Sequence, residues 1–480
     1  MRIGFLNPQG NFDRTDAYLT EHPDFGGQLV YVKEVALALG RLGIDVDIIT
    51  RRIRDPEWQG FEEDLDDFGE QADRVRIVRL PCGGDGFLAK EALWPHLPEM
   101  AEAILGFYAG QPPDFFTAHY ADGGYLAALL KERLGLGFTF TGHSLGAQKL
   151  DKLVSTTGES FQGLDSRYRF SQRIAAERLA MARAETVITS TTEERMAQYG
   201  HPLYEGAIVP SDGRRFRVIP PGINTAIFHQ DPIHDAPDVM TRLRAHVRDP
   251  ERAHVVLASR LDPKKNVGGV VEAFCRSSTL SARANLALFV RGVDDPWAGI
   301  ESLRADEQAV LEPILARIQQ AGLADRVSFV NARSQRELAA AYRMFAASGS
   351  VFALPSLFEP FGLAPIEAAA CGLAVVATRN GGPSEIFAGG AGLLMDPEDP
   401  NDMARAFVEG LDRYPALAKA GIERVLSTYT WDKTAGAYLD LIRLNVATGM
   451  GRDDAVTAEL DASARIQNYL QEGRGADSVR

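Results

Sequence analysis

Two cations and two carboxylates in the second half of the chain stand at spacings that suit chemistry on an anionic leaving group. Arg260 and Lys265 lie five residues apart in ASRLDPKKN, where a β-branched run ends and a helix is expected to begin. Cations at such a junction, backed by the positive end of a helix dipole, form a site for a diphosphate. Two solvated loop charges is the alternative for that segment taken alone. Further on, LPSLFEPFGLAPIEAAACG holds Glu359 and Glu367 in an E-x7-E spacing, with Phe361, Gly362 and Leu363 between them. Pro365 suits a first helical turn, which predicts a helix over 365–371. Glu359 then lies in the preceding loop and Glu367 about one turn inside the helix. Two unrelated surface carboxylates fit the text poorly. Glu359 is boxed in by Phe358, Pro360 and Phe361, and Glu367 sits in an apolar segment. A Gly-Gly turn follows in NGGPSEI (380–386).

The first half offers weaker signals. Gly26 and Gly27, in HPDFGGQLVYVKE, fall between the first strand and the first helix. Paired glycines there let backbone N–H groups approach an anion at the helix N-terminus, or simply make a tight turn. The long loop from Pro8 to Phe25 favours function, because long loops in compact domains are uncommon otherwise. No GxGxxG fingerprint is present, so dinucleotide binding is not supported. GHSLG (142–146) matches the nucleophile elbow of hydrolases and would make Ser144 a nucleophile. That reading needs a downstream acid and histidine. His201, His229, His234, His246 and His254 all lie in polar or linker-like text, and a hydrolase leaves the second half unexplained. His143 is the better candidate, at a strand's carboxyl end where α/β sites gather; a structural, hydrogen-bonded histidine is the other reading.

Short β-branched runs alternating with longer amphipathic ones must position these groups. Strands are expected at 2–7, 45–50, 75–81, 115–120, 138–143 and 186–190. A second series is expected at 254–262, 284–292, 326–330, 350–356, 374–378 and 392–396. Between the first two runs, Leu29, Val32, Val35, Ala36 and Leu39 keep helical spacing. The alternation predicts parallel sheets covered by helices. A length of 480 residues exceeds one core and predicts two domains, with a linker near Pro220–Phe228 and a helix over 431–446 before a polar tail. A net charge of −14 opposes non-specific binding to nucleic acid or an anionic membrane, so a phosphorylated ligand needs a local basic pocket. Cys82, Cys275 and Cys371 show no metal-ligand spacing and read as reduced thiols. With no signal peptide pattern and no apolar run of membrane-spanning length, a cytoplasmic location is expected.

The R-x4-K and E-x7-E pair, with EPFGL between the glutamates, resembles the retaining glycosyltransferases of family four. That family has the GT-B fold, two Rossmann-like α/β domains facing across a deep cleft. FLNPQGNF, HPDFGGQLVYVKEVALAL, DIITRRI, GGDGFLAKEALWP, GHSLGAQK and RIAAERL are similar to the sucrose-phosphate synthases, above all the short bacterial forms, and the resemblance covers roughly 1–446. It implies an acceptor-binding domain over 1–223, with the helix and tail 432–480 packing back on it, and a nucleotide-sugar domain over 224–431.

The resemblance implies a hexosyltransferase that moves glucose from a nucleotide-glucose to fructose 6-phosphate with retention. UDP-glucose is the first choice of donor, with ADP- or GDP-sugars as alternatives. Catalytic roles fall to His143, Arg260, Lys265 and Glu359. Arg260 and Lys265 would hold the diphosphate, Glu367 the ribose, and Glu359 the sugar 3-hydroxyl beside the N–H groups of Phe361, Gly362 and Leu363. His143 would lie near the 6-hydroxyl, and Gly26 and Gly27 would approach the diphosphate. For the acceptor, Lys90, Lys149 and Arg173 correspond to phosphate-binding cations, and Gln28 and Asp122 to contacts with the fructose. No metal and no cofactor is required, which leaves Mg2+ only as an activator. Plant members and many cyanobacterial ones carry an added phosphatase-like domain; here a separate sucrose-phosphate phosphatase is expected. The rivals are mannosylfructose-phosphate synthesis from GDP-mannose, sucrose synthase acting on free fructose, and a catalytically silent GT-B sugar-phosphate-binding regulatory protein. The phosphate cations argue against sucrose synthase.

Overall fold

Many strands in this chain, such as HVVLA and AVVAT, are near-continuous apolar runs, the pattern of sheets covered on both faces. The computed structural model describes residues 1–18, 22, 24–232, 236–448 and 461–472. His234, part of the Pro8–Phe25 loop, and residues 449–460 and 473–480 of the expected tail lie outside them. The chain divides into two compact units, Met1–Pro220 with Thr434–Arg480, and Pro221–Lys433.

The first unit holds strands β1 (Arg2–Leu6), β2 (Asp45–Arg51), β3 (Leu65–Asp66), β4 (Val75–Leu80), β5 (Phe115–His119), β6 (Phe138–Thr141), β7 (Thr186–Thr189) and β8 (Phe216–Val218). They form one sheet in the order β3-β4-β2-β1-β5-β6-β7-β8. All pairs are parallel except β3 with β4. From β1 the chain builds outward through β2 and β4, then returns to build the other way through β5, β6 and β7. The reversal lies between β1 and β5, and the crevice beyond the carboxyl ends of strands at such a reversal is where open α/β sheets bind ligands. The helices Gly27–Arg41, Tyr120–Leu134, Gly146–Thr157 and Phe170–Arg183 are among those that cover this sheet. The helix Ser463–Gln471 joins the same core through Ile466 and Tyr469.

The second unit repeats the plan. Strands β9 (His254–Ala258), β10 (Asn285–Phe289), β11 (Val327–Val330), β12 (Val351–Leu354), β13 (Ala374–Thr378) and β14 (Leu393–Met395) are ordered β11-β10-β9-β12-β13-β14. All are parallel, and the reversal lies between β9 and β12. Among the described residues no helix is long and apolar enough to cross a membrane.

Four details differ from expectation. β9 stops at Ala258 and β12 at Leu354, so SRLD and PS belong to loops that their apolar neighbours disguised. The helix after the EPFGL loop starts at Leu363, two residues before Pro365, following Gly362 at a φ of 100°. Lys265 ends a short 3-10 turn, Pro263–Lys265, and the helix proper begins at Val267 after Asn266 in the left-handed region. β3 and β8 were too short for periodicity to mark.

Candidate active site

In the second unit, the loops after β9, β12 and β13 meet. Lys265 Nζ donates to Glu359 Oε2 at 2.7 Å, and Ser356 Oγ donates to the same oxygen at 3.1 Å. The loops are also tied through backbone: Leu357 N–H donates to the Lys264 carbonyl at 3.0 Å, and Glu359 N–H to the Asn380 carbonyl at 3.1 Å. Gly381 has a φ of 97°, and a Cβ there would fall 2.1 Å from the Glu359 carbonyl oxygen. A Cβ at Gly382 would sit 2.6 Å from the Pro360 carbonyl. Glycine is required at both positions so that this strand end can press against the Glu359 loop. Arg260 is exposed, and its guanidinium has no partner among the described residues. Glu367 sits among the buried Ile366, Ala368 and Ala369, and burial pushes its carboxyl up to about 7. Phe361 is buried, while Leu363 is exposed at the start of the helix.

In the first unit, groups gather at the ends of β1, β5 and β6. Gly26 is the N-cap of the helix Gly27–Arg41 with extended backbone, and a Cβ on either glycine would meet nothing within 4 Å. Neither backbone conformation nor packing demands glycine at these two positions, so what their lack of side chains provides is access to backbone N–H groups. Gln28 Nε2 donates to Asn7 Oδ1 at 2.6 Å and its Oε1 accepts from Gln9 Nε2 at 2.8 Å, which fixes the amide after β1. Asp122, in the first turn of Tyr120–Leu134, is 1% exposed, and neither carboxylate oxygen has a well-formed hydrogen bond among the described residues. Burial pushes its pKa up to about 7. His143 and Tyr120 follow adjacent strands at φ 56° and 67°, a conformation that costs bulky residues about 1–3 kcal/mol and clusters at functional sites. Burial lowers the His143 imidazole to about 3, and its Nε2 lies 2.9 Å from His119 Nδ1.

The three candidate phosphate cations differ in kind. Lys90 is ion-paired through Nζ to the buried Asp24, whose second oxygen accepts from the Lys90 N–H at 2.9 Å. Lys149 lies 4.4 Å over the Tyr168 ring, and its pKa is lowered by burial, then by Arg173 and Lys90, which are close enough to act on it. Arg173 is 4% exposed: Nε donates to Glu177 Oε1 at 2.9 Å, an Nη donates to the Ser144 carbonyl at 2.6 Å, and the guanidinium covers the Tyr120 ring at 4.6 Å. Glu177 also accepts from the Gly146 N–H at 2.9 Å and from the Tyr204 hydroxyl, capping the helix that carries Lys149. Ser144 thus faces Arg173, and the His143 ring lies against His119, so among the described residues no base is hydrogen-bonded to the Ser144 hydroxyl. Among the described residues no group of three or more His, Cys, Asp or Glu has the geometry to hold a metal.

Residues 26–222 match the Glycosyl transferase 4-like domain, and residues 241–421 match Glycosyl transferases group 1. A probable sucrose-phosphate synthase of Thermosipho melanesiensis is 41% identical over 444 residues, 92% of this chain and 96% of that protein. This chain belongs to the sucrose-phosphate synthase family of glycosyltransferases. The maize sucrose-phosphate synthase is 34% identical over 87% of this chain, which spans 45% of the maize protein's length. Among solved structures, the sucrose-phosphate synthase of Thermosynechococcus elongatus superposes with a TM-score of 0.67 at 26% identity, covering 93% of this chain and 100% of that one. The catalytic domain of Arabidopsis thaliana starch synthase IV, bound to ADP and acarbose, shares the fold with a TM-score of 0.61 at 18% identity, covering 93% and 99%. The two-sheet α/β architecture is that of GT-B glycosyltransferases.

Within this family member, the groups singled out in the sequence fall into two sets, one in each unit, beyond strand carboxyl ends or in the helices that follow them. Lys265, Glu359 and the start of the Leu363–Ala370 helix form one set; Gln28, Asp122, His143, Lys90, Lys149 and Arg173 form the other. Five residues of the same clusters escaped the sequence reading: Asp24, His119, Tyr120, Glu177 and Ser356. His119 was discoverable by the argument used for His143, since both lie at strand ends. Glu177 stands four residues after Arg173, the spacing of a helical ion pair.

Proposed function

We propose that this protein is a sucrose-phosphate synthase, transferring glucose from a nucleotide-glucose, UDP-glucose first, to fructose 6-phosphate with retention at the anomeric carbon. The observation that carries the reading is the 41% identity to a probable sucrose-phosphate synthase across 92% of the chain. In the reaction, the bond from glucose C1 to the diphosphate oxygen breaks, and the anomeric hydroxyl of fructose forms the new C1–O bond on the same face. Its proton passes to the departing diphosphate, so no carboxylate nucleophile is assigned. Negative charge grows on the diphosphate as the bond breaks. Arg260 and Lys265 stabilise that state more than the ground state, and each such group contributes about 3–4 kcal/mol by analogy with oxyanion donors. The Lys265–Glu359 ion pair, 2.7 Å long, supports this division of labour: it orients the ammonium toward phosphate while Glu359 keeps one oxygen for a sugar hydroxyl. Glu367 takes the ribose, and its apolar setting makes a hydroxyl donor a welcome partner. Residues 1–223 with the 432–480 helix and tail would take the acceptor, and 224–431 the nucleotide sugar.

On the acceptor side, Lys149 is the cation placed to turn toward a phosphate, Lys90 would face it from its ion pair with Asp24, and Arg173 fixes their surroundings from its buried ion pair with Glu177. Asp122 and Gln28 would take fructose hydroxyls. A matrix assay tests the whole reading. UDP-, ADP- and GDP-glucose and GDP-mannose are each incubated with fructose 6-phosphate or fructose, with released nucleotide and the product's anomeric NMR signal recorded. The expected result is sucrose 6-phosphate from a nucleotide-glucose with fructose 6-phosphate. Equal use of free fructose, an inverted product, or no turnover with any glucose donor refutes it.

A further inference from the structure

His119 is a buried histidine for which the chemistry above has no use. It closes β5, and the sheet register sets it opposite Thr141 at the end of β6. Two residues after Thr141, His143 has a positive φ of 56°, and its ring turns toward His119. The rings stack at 5.2 Å, with His119 Nδ1 and His143 Nε2 2.9 Å apart. On its other side His119 stacks on Phe5 at 5.3 Å. Its side chain is fully buried, and Nε2 has no hydrogen-bond partner among the described residues. Tyr31 packs edge-on against His143 at 4.9 Å, with its hydroxyl 3.0 Å from that of Tyr438.

One proton occupies the space between the two facing nitrogens, and burial holds both rings neutral. Two arrangements remain. If His143 Nε2–H donates, His119 must carry its own proton on Nε2, where nothing receives it. If His119 Nδ1–H donates, His119 Nε2 is a bare lone pair and His143 carries its proton on Nδ1. An orphaned buried N–H is the rarer defect, so the second arrangement is favoured. We propose that His119 is a positioning residue: its Nδ1–H fixes His143 as the Nδ1-protonated tautomer, so that His143 meets a sugar hydroxyl oxygen as a hydrogen-bond donor. This rests on the reading of His143 as a donor-sugar contact, and it deepens that reading by assigning which atom makes the contact. The logic is that of an oriented imidazole whose second nitrogen sets its tautomer.

The test reads the tautomer directly. Long-range 1H–15N correlation on histidine-labelled protein reports which ring nitrogen of His143 carries hydrogen, with His143→Asn locating its signals. In the wild-type chain, Nδ1 is expected to be protonated and Nε2 bare. His119→Asn places an amide where Nδ1 was, so it should keep that tautomer and most of the kcat/KM for the nucleotide-glucose. His119→Phe keeps the bulk and the stacking on Phe5 but removes the donor. There the His143 proton should move to Nε2, and kcat/KM should fall about tenfold, the loss of one neutral hydrogen bond, with the KM for fructose 6-phosphate unchanged. An Nε2-protonated His143 in the wild-type chain overturns the proposal, as does an unaltered tautomer in His119→Phe. If His119→Phe fails to fold, the wild-type and His119→Asn spectra still decide. The tautomer is read without turnover, so a failed nucleotide-glucose assay beside the expected spectrum would count against the proposed reaction and not against the assignment.

Discussion

Asp122 offers the sharpest link between stability and function. Its carboxyl is 1% exposed, lacks well-formed hydrogen bonds among the described residues, and is pushed by burial from an ordinary 3.8 up to about 7. That displacement of about 3 pKa units is worth roughly 4 kcal/mol at 1.36 kcal/mol per unit. The sign follows from proton counting. Between pH 4 and 7 the native carboxyl keeps a proton that the unfolded chain has lost, so stability falls as pH rises through that window and stays lower above it. Asp122→Asn removes the charge but leaves a buried amide, whose unmet hydrogen bonds cost about 1–3 kcal/mol. The variant should therefore be more stable than the wild-type chain by about 1–3 kcal/mol at pH 8, and no more stable, or slightly less, at pH 4.5. Urea denaturation at the two pH values measures the difference. At pH 8 the same variant should raise the KM for fructose 6-phosphate at least tenfold, because the proposed acceptor for sugar hydroxyls would be halved. Parallel stability curves at both pH values, or destabilisation at pH 8, would refute the reasoning that Asp122 is an ionised group held at a cost for the ligand.

Lys149→Ala should raise the KM for fructose 6-phosphate by about 10–100-fold and leave slow donor hydrolysis near wild type, since it removes a partly exposed cation. Arg173→Ala is a different perturbation: it strands the fully buried Glu177, and an unfolding shift of about 3–5 kcal/mol should precede any kinetic effect, measured by thermal and denaturant melts. Lys265→Met should lower kcat about 10²–10³-fold at saturating donor; an unchanged kcat would remove this lysine from the leaving-group role. Gly381→Ala should abolish most activity and lower the melting temperature, because its Cβ would fall 2.1 Å from the Glu359 carbonyl at a φ of 97°.

Much of this was legible in the sequence because the candidate residues sit where an apolar run ends. A run such as HVVLA announces a buried parallel strand, and the polar residues just beyond it, Arg260 and Lys265, announce the loop at its carboxyl end. Charge and spacing could not show how a cation is held. Lys90, Lys149 and Arg173 read alike as basic residues, yet one is ion-paired to Asp24, one lies over Tyr168, and one is locked to Glu177 beneath Ser144. That difference comes from segments far apart in the chain. His119 stood at a strand end, as His143 does, but its pairing could not be read from the text, because it depends on the positive φ of His143 two residues beyond the neighbouring strand β6.

Some of the unfavourable features of the two units gather beyond strand ends. The left-handed backbone at Tyr120 and His143, the poorly satisfied Asp122, the raised Glu367 and the tight passage of Gly381 beside Glu359 lie just beyond the ends of β5, β6, β12 and β13, at or one strand away from the reversals, or in the helices that those ends begin. The strands that lead to them are regular and buried. A regular sheet can hold such residues because its register leaves them no alternative: His119 cannot leave Thr141's level without breaking the β5–β6 pairing, and Glu359 cannot retreat past Gly381. Selection for stability alone would replace an ionised Asp122 with a smaller apolar residue and relax the strained turns. Left-handed residues also occur at Gln71, Ala109 and Asp249, so what sets these groups apart is that they stand beside the Lys265–Glu359 pair and the His119–His143 pair.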